Sequence, residues 1–317
     1  MSRRAAAALA ILTGACVGLA TGADVPARRA GVPPGMVSIP GGRTRIGSDD
    51  GEPSERPTFY ADVAPFWLDV HPVTVAEFRR FVEATGYATQ AERAGESGVF
   101  DTKTGKWGLA RGVSWRYPFD PSKAAPDDHP VTQVSWNDAV AYCASRKKRL
   151  PSEIEWEHAA RHGHRAGDHY AWGDALVDRG RYRANTWQGH FPTENTVADG
   201  YLTTSPVGTF GASASGLTDM GGNVWQWCAD WYRPYVARDA PFTPGPKSEK
   251  VIRGGSFLCD PEVCHGFRVS ARGHQAPDTG LVHIGFRCAL SLVDKHLQSG
   301  ATRGPLSVTD ARRTYNG

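Results

Sequence analysis

The sequence is short of long apolar runs, of internal repeats and of clustered basic residues. Beyond the first 23 residues, no segment is long and apolar enough to span a bilayer. The formal net charge is only +3, and part of it belongs to arginines near the N-terminus. Because this charge is small and scattered, the sequence argues against a nucleic-acid-binding protein.

What the chain does contain is glycine and tryptophan, with 36 glycines and 10 tryptophans in 317 residues. Its hydrophobic content of 40% and charged content of 22% are close to globular averages. A chain of this length forms one large domain or two small ones and can bury a substantial core. The composition therefore predicts a globular protein with many loops held by large aromatic side chains, rather than one built of long helices.

The N-terminus has the pattern of an export signal. Ser2, Arg3 and Arg4 form a positive region, and an uncharged stretch rich in Ala, Leu and Gly follows to residue 23. We therefore predict a signal peptide at 1–23 and a periplasmic or secreted protein. An uncleaved membrane anchor is the alternative, and the paired arginines leave a twin-arginine signal open. Cys16 is a candidate for lipid attachment, although no Leu stands three residues before it.

Two further segments are predicted to lie outside the packed domain. Residues 24–35 are rich in Pro, Gly and Arg, which is typical of a linker. From 292 to 317 the sequence is polar and has no apolar periodicity, which predicts a loose C-terminal tail. The predicted domain is the remainder, residues 36–291.

Helix signals in this domain are few and short. Thr74 is a predicted N-cap, with apolar residues at helical spacing after it and Gly86 as the predicted end. Ser135 or Asn137 caps a second predicted helix. Ser152 begins a third, with a glutamate at capping-box spacing. The rest of the domain after this helix is predicted to be loop-rich, with short strands.

The cysteines pose the main question about function. After removal of the signal an odd number remains, so at least one cysteine is free or has a role other than a structural disulfide. Cys259 and Cys264 have only four residues between them. From this spacing alone, a short disulfide and a metal-binding pair both stay open. Two such thiolates suit copper(I), whereas zinc requires four ligands and no further Cys or His stands at zinc-finger spacing.

Ten stretches of the domain form an ordered set along the chain. They are "GMVSIPGG", "FRRFVEATGY", "GVSWRYP", "DHPVTQVSWNDAVAYC", "KRLPSEIEWEHAAR", "YAWGD", "ANTWQGHFPTENTVADGY", "GLTDMGGNVWQWCADW", "RGGSFLC" and "GFRCAL". Together they resemble the formylglycine-generating enzyme (sulfatase-modifying factor) family, from Met36 to Leu290. The resemblance implies a single α+β domain related to the C-type lectin fold, with low regular secondary structure, short strands and a few helices.

The resemblance also implies an activity. Such enzymes oxidise a cysteine in a Cys-x-Pro-x-Arg-type segment of an unfolded sulfatase to Cα-formylglycine, using copper and dioxygen. Cys259 and Cys264 match the family's cysteine pair after Gly-Gly-Ser, so they are expected to hold Cu(I), with the substrate thiolate as a third ligand. Ser256 matches the family's active-site serine and is expected to hydrogen-bond the oxygen species. A turn serine that follows two glycines is the alternative.

The remaining cysteines and a substrate channel are assigned in the same way. The resemblance implies a disulfide between Cys143 and Cys288, and it leaves Cys228 as a buried, inert thiol. It also implies that Trp115 and Arg116 line the peptide channel, since a tryptophan offers a rigid wall. An ordinary core tryptophan beside a surface arginine is the alternative.

Two structural calcium sites are implied as well, both built from the oxygen donors that Ca²⁺ requires. The first comprises Asn185, the carbonyl of Thr186, Asp199 and the carbonyl of Tyr201. The second comprises Asp219, the carbonyls of Gly222 and Val224, and Gln226. The family has Asn first and Glu last in the second set. Here Asp219 and Gln226 exchange the charge, which preserves the net ligand charge and favours a retained ion.

Departures from the family pattern lie toward the predicted substrate side. Gln275 and His283 each replace an asparagine, and Val263 lies between the two cysteines of the pair. We therefore expect a substrate preference that differs from the usual one.

Three histidines near the end of the third predicted helix suggest a metal site at first sight. His158 and His162 are one helical turn apart, and His164 follows. The iron-dependent sulfoxide synthases that share this domain type have a glutamate where this chain has His164, and they carry a separate helical domain. We interpret the three residues as solvated histidines at a helix end.

The leading prediction is thus an exported, copper-dependent, formylglycine-generating oxidase. Its expected partners are dioxygen and an unfolded sulfatase-like protein, with no nucleic acid, and the protein is expected to be a monomer. One alternative is a non-catalytic lectin-like binding module that keeps Cys259 and Cys264 as a disulfide. Another is an oxidase that acts on a different thiol substrate.

Overall fold

The computed structural model describes residues 31–162 and 167–292. Several predictions concern residues outside this part of the chain: the signal peptide at 1–23, Cys16, most of the linker at 24–35, His164, and all but the first residue of the tail at 292–317. Among the described residues, no helix is long and apolar enough to cross a membrane.

Short helices begin where capping residues predict them. Helices of the described part are α1 (Val75–Thr85), α2 (Gln90–Ala94), α3 (Trp136–Ser145) and α4 (Glu153–Arg161). Each follows a threonine or serine that forms a capping box, in which side chain and backbone at the two ends of the first turn exchange hydrogen bonds. The caps at Thr74, Ser135 and Ser152 are confirmed, and so is the end of α1 at Gly86, which has a left-handed φ of 66°.

The strands that the structure describes are two to seven residues long. In chain order they are β1 (Met36–Ile39), β2 (Gly42–Ile46), β3 (Phe59–Val63), β4 (Phe66–Asp69), β5 (Glu96–Asp101), β6 (Lys106–Arg111), β7 (Val177–Asp178), β8 (Arg181–Tyr182), β9 (Trp225–Trp231), β10 (Lys250–Arg253), β11 (Gly273–Gln275), β12 (Ile284–Gly285) and β13 (Ala289–Ser291). Long irregular segments separate them, as the glycine content predicts.

Two small sheets organise these strands. One has the order β1-β4-β13 and is antiparallel, and the other has the order β11-β10-β9-β12, with only β12 parallel to its neighbour. The pairs β2-β3, β5-β6 and β7-β8 form separate two-stranded ribbons. The predicted α+β class with little regular structure is confirmed.

Aromatic side chains fill the core between α1, α3 and the four-stranded sheet. Phe78 of α1 makes edge contacts with Trp115 and Phe286 and stacks on Tyr142 of α3, with ring centroids 5.3 to 6.4 Å apart. A second buried cluster lies between the three-stranded sheet and α4, around Trp156. Buried tryptophans therefore hold the loop-rich chain together, because each removes a large apolar area from water.

A disulfide joins Cys143 of α3 to Cys288, just before β13, with Cα atoms 5.8 Å apart. This is the pairing that the resemblance implied. The bridge spans 145 positions of sequence, so it constrains the unfolded chain strongly. Cys228 is buried and free, and burial raises the pKa of its thiol well above the ordinary value, which makes it unreactive.

Candidate active site

The candidate site is the loop that follows β10, residues 254–268, which we call the thiol loop. Gly254 and Gly255 open it with left-handed φ angles of 97° and 69°. A Cβ on Gly255 would lie 2.6 Å from the amide nitrogen of Phe267, so only glycine fits where the two ends of the loop cross. This crossing folds the loop back on itself and brings its two cysteines together.

The sulfur atoms of Cys259 and Cys264 are in contact, and their Cα atoms are 5.0 Å apart. A tight turn produces this arrangement, because the carbonyl of Asp260 accepts the amide protons of Val263 at 3.2 Å and Cys264 at 3.0 Å. Cys259 is buried, with 1% of its surface exposed, whereas Cys264 is partly exposed and Val263 is 60% exposed. The pair is therefore reached from solvent on the Cys264 side.

Ser256 is fully buried beside the inner cysteine. Its amide donates to the Sγ of Cys259 over 3.4 Å, and its Oγ accepts from the amide of Leu258 over 3.2 Å. An N–H group aimed at sulfur stabilises negative charge there. Ser256 is thus in contact with the predicted copper ligand through its main chain, while its hydroxyl stabilises the turn.

Two tryptophans that sequence reasoning missed hold the inner cysteine in place. The indole of Trp225 lies against Gly266, where an added Cβ would be 2.5 Å from the ring and 3.0 Å from the Sγ of Cys259. The amide of Trp187 donates to the carbonyl of Cys259 over 3.0 Å. No local signal marks these residues, since both meet the thiol loop from distant parts of the chain.

Buried ion pairs anchor both ends of the thiol loop. Arg253, directly before it, is fully buried and lies 2.5 Å from Glu157 and 3.3 Å from Glu153 of α4. Arg268, at its end, contacts the buried carboxylate of Glu55 at 2.5 Å. Burial lowers the pKa of Arg253, but the neighbouring groups of Glu157, Tyr235 and Glu153 together outweigh this effect and raise it above the ordinary value, so the guanidinium stays charged. The loop is therefore attached to α4 and to the segment before β3.

The predicted channel residues behave differently from one another. Trp115 is fully buried: its indole packs edge-on against Phe78, and its Nε1 donates to Glu92 over 3.2 Å. It therefore offers no surface to a peptide in this structure. Arg116 lies over the Trp115 ring at 4.2 Å, and 39% of its side chain is exposed, so it alone of the two is available to a substrate.

The first predicted calcium set contains an oxygen without a partner. Asn185 is buried, and among the described residues its Oδ1 has no hydrogen-bond donor, although its Nδ2 donates to the carbonyl of Thr203. The carboxylate of Asp199 accepts from the amides of Thr186 and Tyr201 at 3.0 and 2.9 Å and from Nε2 of Gln188 at 2.8 Å, and the same Nε2 also donates to the carbonyl of Thr186. Burial raises the pKa of Asp199 despite these hydrogen bonds. An orphaned amide oxygen beside a desolvated carboxylate fits a bound cation.

The second predicted calcium set lies against a buried arginine. The Oε1 of Gln226 accepts from Nε1 of Trp156 at 2.9 Å and from Nε of Arg287 at 2.8 Å, which uses both of its lone pairs. The same arginine donates to the carbonyl of Asp219 at 3.1 Å. Burial lowers the pKa of Arg287 to about 10, so at pH 7 a positive charge already lies against these donors. The second calcium ion at Asp219, Gly222, Val224 and Gln226 stays a prediction, and in this structure Arg287 already contacts two of these four residues.

The interpretation of His158 as a solvated residue is wrong. Its side chain is buried, Nδ1 is hydrogen-bonded to Oγ1 of Thr44, and Nε2 lies 2.8 Å from the carbonyl of Pro40. Both nitrogens therefore serve to join α4 to the β2 region. Within the described residues, no group of three or more His, Cys, Asp or Glu side chains is arranged to hold a metal ion.

Of the two residues that depart from the family pattern, His283 has the more unusual surroundings. Its Nδ1 is buried and has no hydrogen-bond partner among the described residues, and its ring lies 4.9 Å from that of Trp107. Burial lowers the pKa of His283 to about 3, so the imidazole is neutral. Gln275 ends β11 and pairs with Lys250 of β10.

Comparisons with known proteins agree with this geometry. Residues 22–292 match the family model described as sulfatase-modifying factor enzyme 1-like domain. A protein named formylglycine-generating enzyme from Streptomyces coelicolor is 41% identical over 300 residues, covering 87% of this chain and 94% of that protein. A relative from Mus musculus, 38% identical over 81% of this chain and 86% of its own length, is named inactive C-alpha-formylglycine-generating enzyme 2.

The solved structure of PvdO from Pseudomonas aeruginosa is similar in fold, with a TM-score of 0.61 and 28% identity over 81% of this chain and 94% of that one. The predicted relation to the C-type lectin fold is confirmed. Because the family model spans most of the chain and the relatives match along most of their own length, the chain belongs to the formylglycine-generating enzyme (sulfatase-modifying factor) family.

Proposed function

We propose that this protein is a copper-dependent oxidase that converts a cysteine of a sulfatase-type substrate to Cα-formylglycine. The observation that carries the proposal is the pair formed by Cys259 and Cys264, of which the first residue is buried and the second is partly exposed. This pair lies in a chain whose family includes proteins named formylglycine-generating enzyme. The proposed substrate is an unfolded segment of the Cys-x-Pro-x-Arg type.

Copper(I) suits thiolates, which are soft donors, and reduction of the contacting sulfur atoms of Cys259 and Cys264 would supply two of them. In the reduced protein Cys259 and Cys264 would hold the ion and leave room for a third sulfur from the substrate. A bound copper ion supplies one-electron chemistry with dioxygen, which no side chain provides.

The overall reaction removes two electrons and two protons from the Cβ–SH group of the substrate, and water then replaces sulfur, which leaves as hydrogen sulfide. Reduction of dioxygen to water takes four electrons, so an external thiol reductant supplies the other two.

The main chain of Ser256 stabilises negative charge on Cys259. Trp225 excludes water from the inner side of the pair. Arg116 is the proposed channel residue that remains exposed, and the Ser256 hydroxyl is proposed to hydrogen-bond the oxygen species.

One structural calcium ion is proposed, at Asn185, Thr186, Asp199 and Tyr201. The unpartnered Oδ1 of Asn185 and the buried carboxylate of Asp199 support this assignment, since a cation would satisfy both.

Export of the protein and a monomeric state are proposed from the sequence alone.

The proposed function is tested by turnover of a Cys-x-Pro-x-Arg peptide with copper(I), dioxygen and a thiol reductant, with mass spectrometry to detect the aldehyde. We expect Cys259→Ser and Cys264→Ser each to abolish product formation, because each leaves one sulfur ligand. Cys228→Ala is the matched control, since this free, buried thiol belongs to a different core cluster from Cys259, and it should retain activity. Full activity in both serine variants would refute the proposal.

A non-catalytic binding module is the second candidate, and two observations favour it. The sulfur atoms are in contact as in a disulfide, and a relative of comparable similarity is named inactive. Stoichiometric binding of copper(I) by the reduced protein separates the two candidates, because a module that keeps the pair only as a structural bridge has no reason to hold the ion tightly.

A further inference from the structure

The ribbon β5-β6 carries two large apolar side chains that face solvent. Trp107 is 47% exposed and Leu109 is 72% exposed. They lie two positions apart on β6, so they share one face of the ribbon. Trp107 pairs with Phe100 of β5, and Leu109 pairs with Gly98. Side by side, they form an apolar surface that packing of the described residues leaves uncovered.

The segment 281–283 extends this surface. Gly98 makes a β-bridge to Leu281, and a Cβ on Gly98 would collide with the Leu281 side chain. The His283 ring lies 4.9 Å from that of Trp107, with Nδ1 buried and without a partner among the described residues. We call the surface of Trp107, Leu109, Leu281 and His283 the hairpin strip. It combines apolar area with one unused hydrogen-bonding nitrogen.

The strip is joined to the thiol loop by direct packing. Phe100 beneath Trp107 shares one buried cluster with Val282, next to His283, and with Leu258, next to Cys259. A second connection runs through Trp225, whose amide donates to the carbonyl of His283 over 2.9 Å while its indole packs behind the inner sulfur. The strip and the thiol loop thus pack on one buried cluster, which favours binding of a single extended substrate to both.

We propose that the hairpin strip is a substrate subsite, which binds an apolar side chain of the unfolded substrate outside its Cys-x-Pro-x-Arg core, while the partly exposed His283 ring turns outward so that Nδ1, buried in the free protein, accepts a main-chain N–H. The inference rests on the proposed function, because that function requires an unfolded polypeptide at the thiol loop. An unfolded segment exposes apolar side chains and free amides together, and the strip offers a partner to each. Burial of the strip and pairing of this nitrogen on binding would stabilise the complex.

The neutral state of His283 is consistent with this role. With its pKa lowered to about 3 by burial, the ring keeps an acceptor lone pair over the whole range of physiological pH. The charged residues of the ribbon lie at its two ends, where Lys106 of β6 pairs with Asp101 of β5 and Arg111 of β6 pairs with Glu96 of β5. No other ionisable group belongs to the strip, so peptide affinity at this subsite should not change between pH 6 and pH 8.

The test compares two peptides, a minimal Cys-x-Pro-x-Arg peptide and a longer one that carries leucines on both sides of this core. Leu109→Ser and Trp107→Ala should raise KM for the longer peptide about tenfold, the effect of losing one apolar anchor, with kcat retained. KM for the minimal peptide should not change. Val236→Ser is the matched control, because Val236 is 77% exposed on a different segment, and it should leave both peptides unaffected.

The role of His283 is tested by His283→Ala and His283→Asn, with thermal melts to verify folding. Alanine should raise KM for the longer peptide alone, and asparagine, which keeps an acceptor, should restore most of it. Equal effects on both peptides, or none, would overturn the proposal. The proposal would also be overturned if light scattering showed a dimer for the wild-type protein and a monomer for Leu109→Ser, because the strip would then be a contact between two copies.

Failure of the proposed function is distinguishable from failure of the subsite. If the wild-type protein with copper(I) turns over neither peptide, the oxidase proposal fails. The strip is then tested on the reduced, copper-free protein by fluorescence anisotropy with the labelled longer peptide. Weaker binding in Leu109→Ser supports the subsite, and unchanged binding overturns it.

Discussion

Removal of each of the two cysteine pairs should have opposite effects on stability and on peptide turnover. Cys143 and Cys288 are 145 positions apart, so their bridge removes loop entropy worth about 5 kcal/mol from the unfolded state. Cys259 and Cys264 are only 5 positions apart, and a bridge between them is worth about 2 kcal/mol on the same basis. The long bridge therefore serves stability, and the short pair contributes little to it.

The experiment replaces each pair by serines and measures the melting temperature together with peptide turnover at low temperature. Loss of the long bridge should lower the melting temperature by roughly 10–20 °C, while turnover at 15 °C is largely retained. Loss of the short pair should change the melting temperature by only a few degrees and abolish turnover. The reasoning is refuted if the short pair proves as stabilising as the long one and its removal leaves turnover intact.

Three further predictions follow from buried groups. Calcium titration should give one bound ion per chain. Asn185→Ala should remove this ion, whereas Asp219→Asn should leave it in place, because Arg287 already satisfies the second donor set. Two bound ions per chain would contradict this prediction. Glu157→Gln should lower the free energy of unfolding by about 3–5 kcal/mol in chemical denaturation, since it weakens the pairing of the fully buried Arg253, and a loss below 1 kcal/mol would show that the pair is not needed. Burial lowers the pKa of Lys250 to about 8 from an ordinary value of 10.5. Between pH 8 and pH 10.5 the unfolded state therefore binds more protons than the folded state, and the contribution of Lys250 to the free energy of unfolding rises with pH. Lys250→Met should flatten that rise in melts at pH 8 to 10.5, and an unchanged slope would exclude Lys250 as its source.

Local signals predicted the helices well. Thr74, Ser135 and Ser152 cap helices because their side chains bond to amides only three residues away. The thiol pair is similar, since a turn of four residues suffices to bring Cys259 and Cys264 together. Such features depend on short stretches of chain, so they can be recognised before the fold is known.

Features that depend on distant partners were not predictable. Trp115 was expected in a channel, but α1 and α2 supply Phe78 and Glu92, which bury its indole. His158 was expected in solvent, yet Thr44, 114 positions away, takes one of its ring nitrogens. In each case the residue type and its neighbours in sequence were compatible with both environments.

By itself, the sequence determined the family, the capped helices and the cysteine pair that follows Gly-Gly-Ser. The tertiary structure alone decided which buried oxygen and nitrogen atoms still have a lone pair to offer to a ligand. The Oε1 of Gln226 has no lone pair left, because Trp156 and Arg287 reach it from 70 and 61 positions away, whereas the Oδ1 of Asn185 and the Nδ1 of His283 have none of the described residues as a partner. The physical reason is that a buried polar atom has a small, fixed number of hydrogen bonds to make, and only the packed fold shows which of them the protein itself already uses.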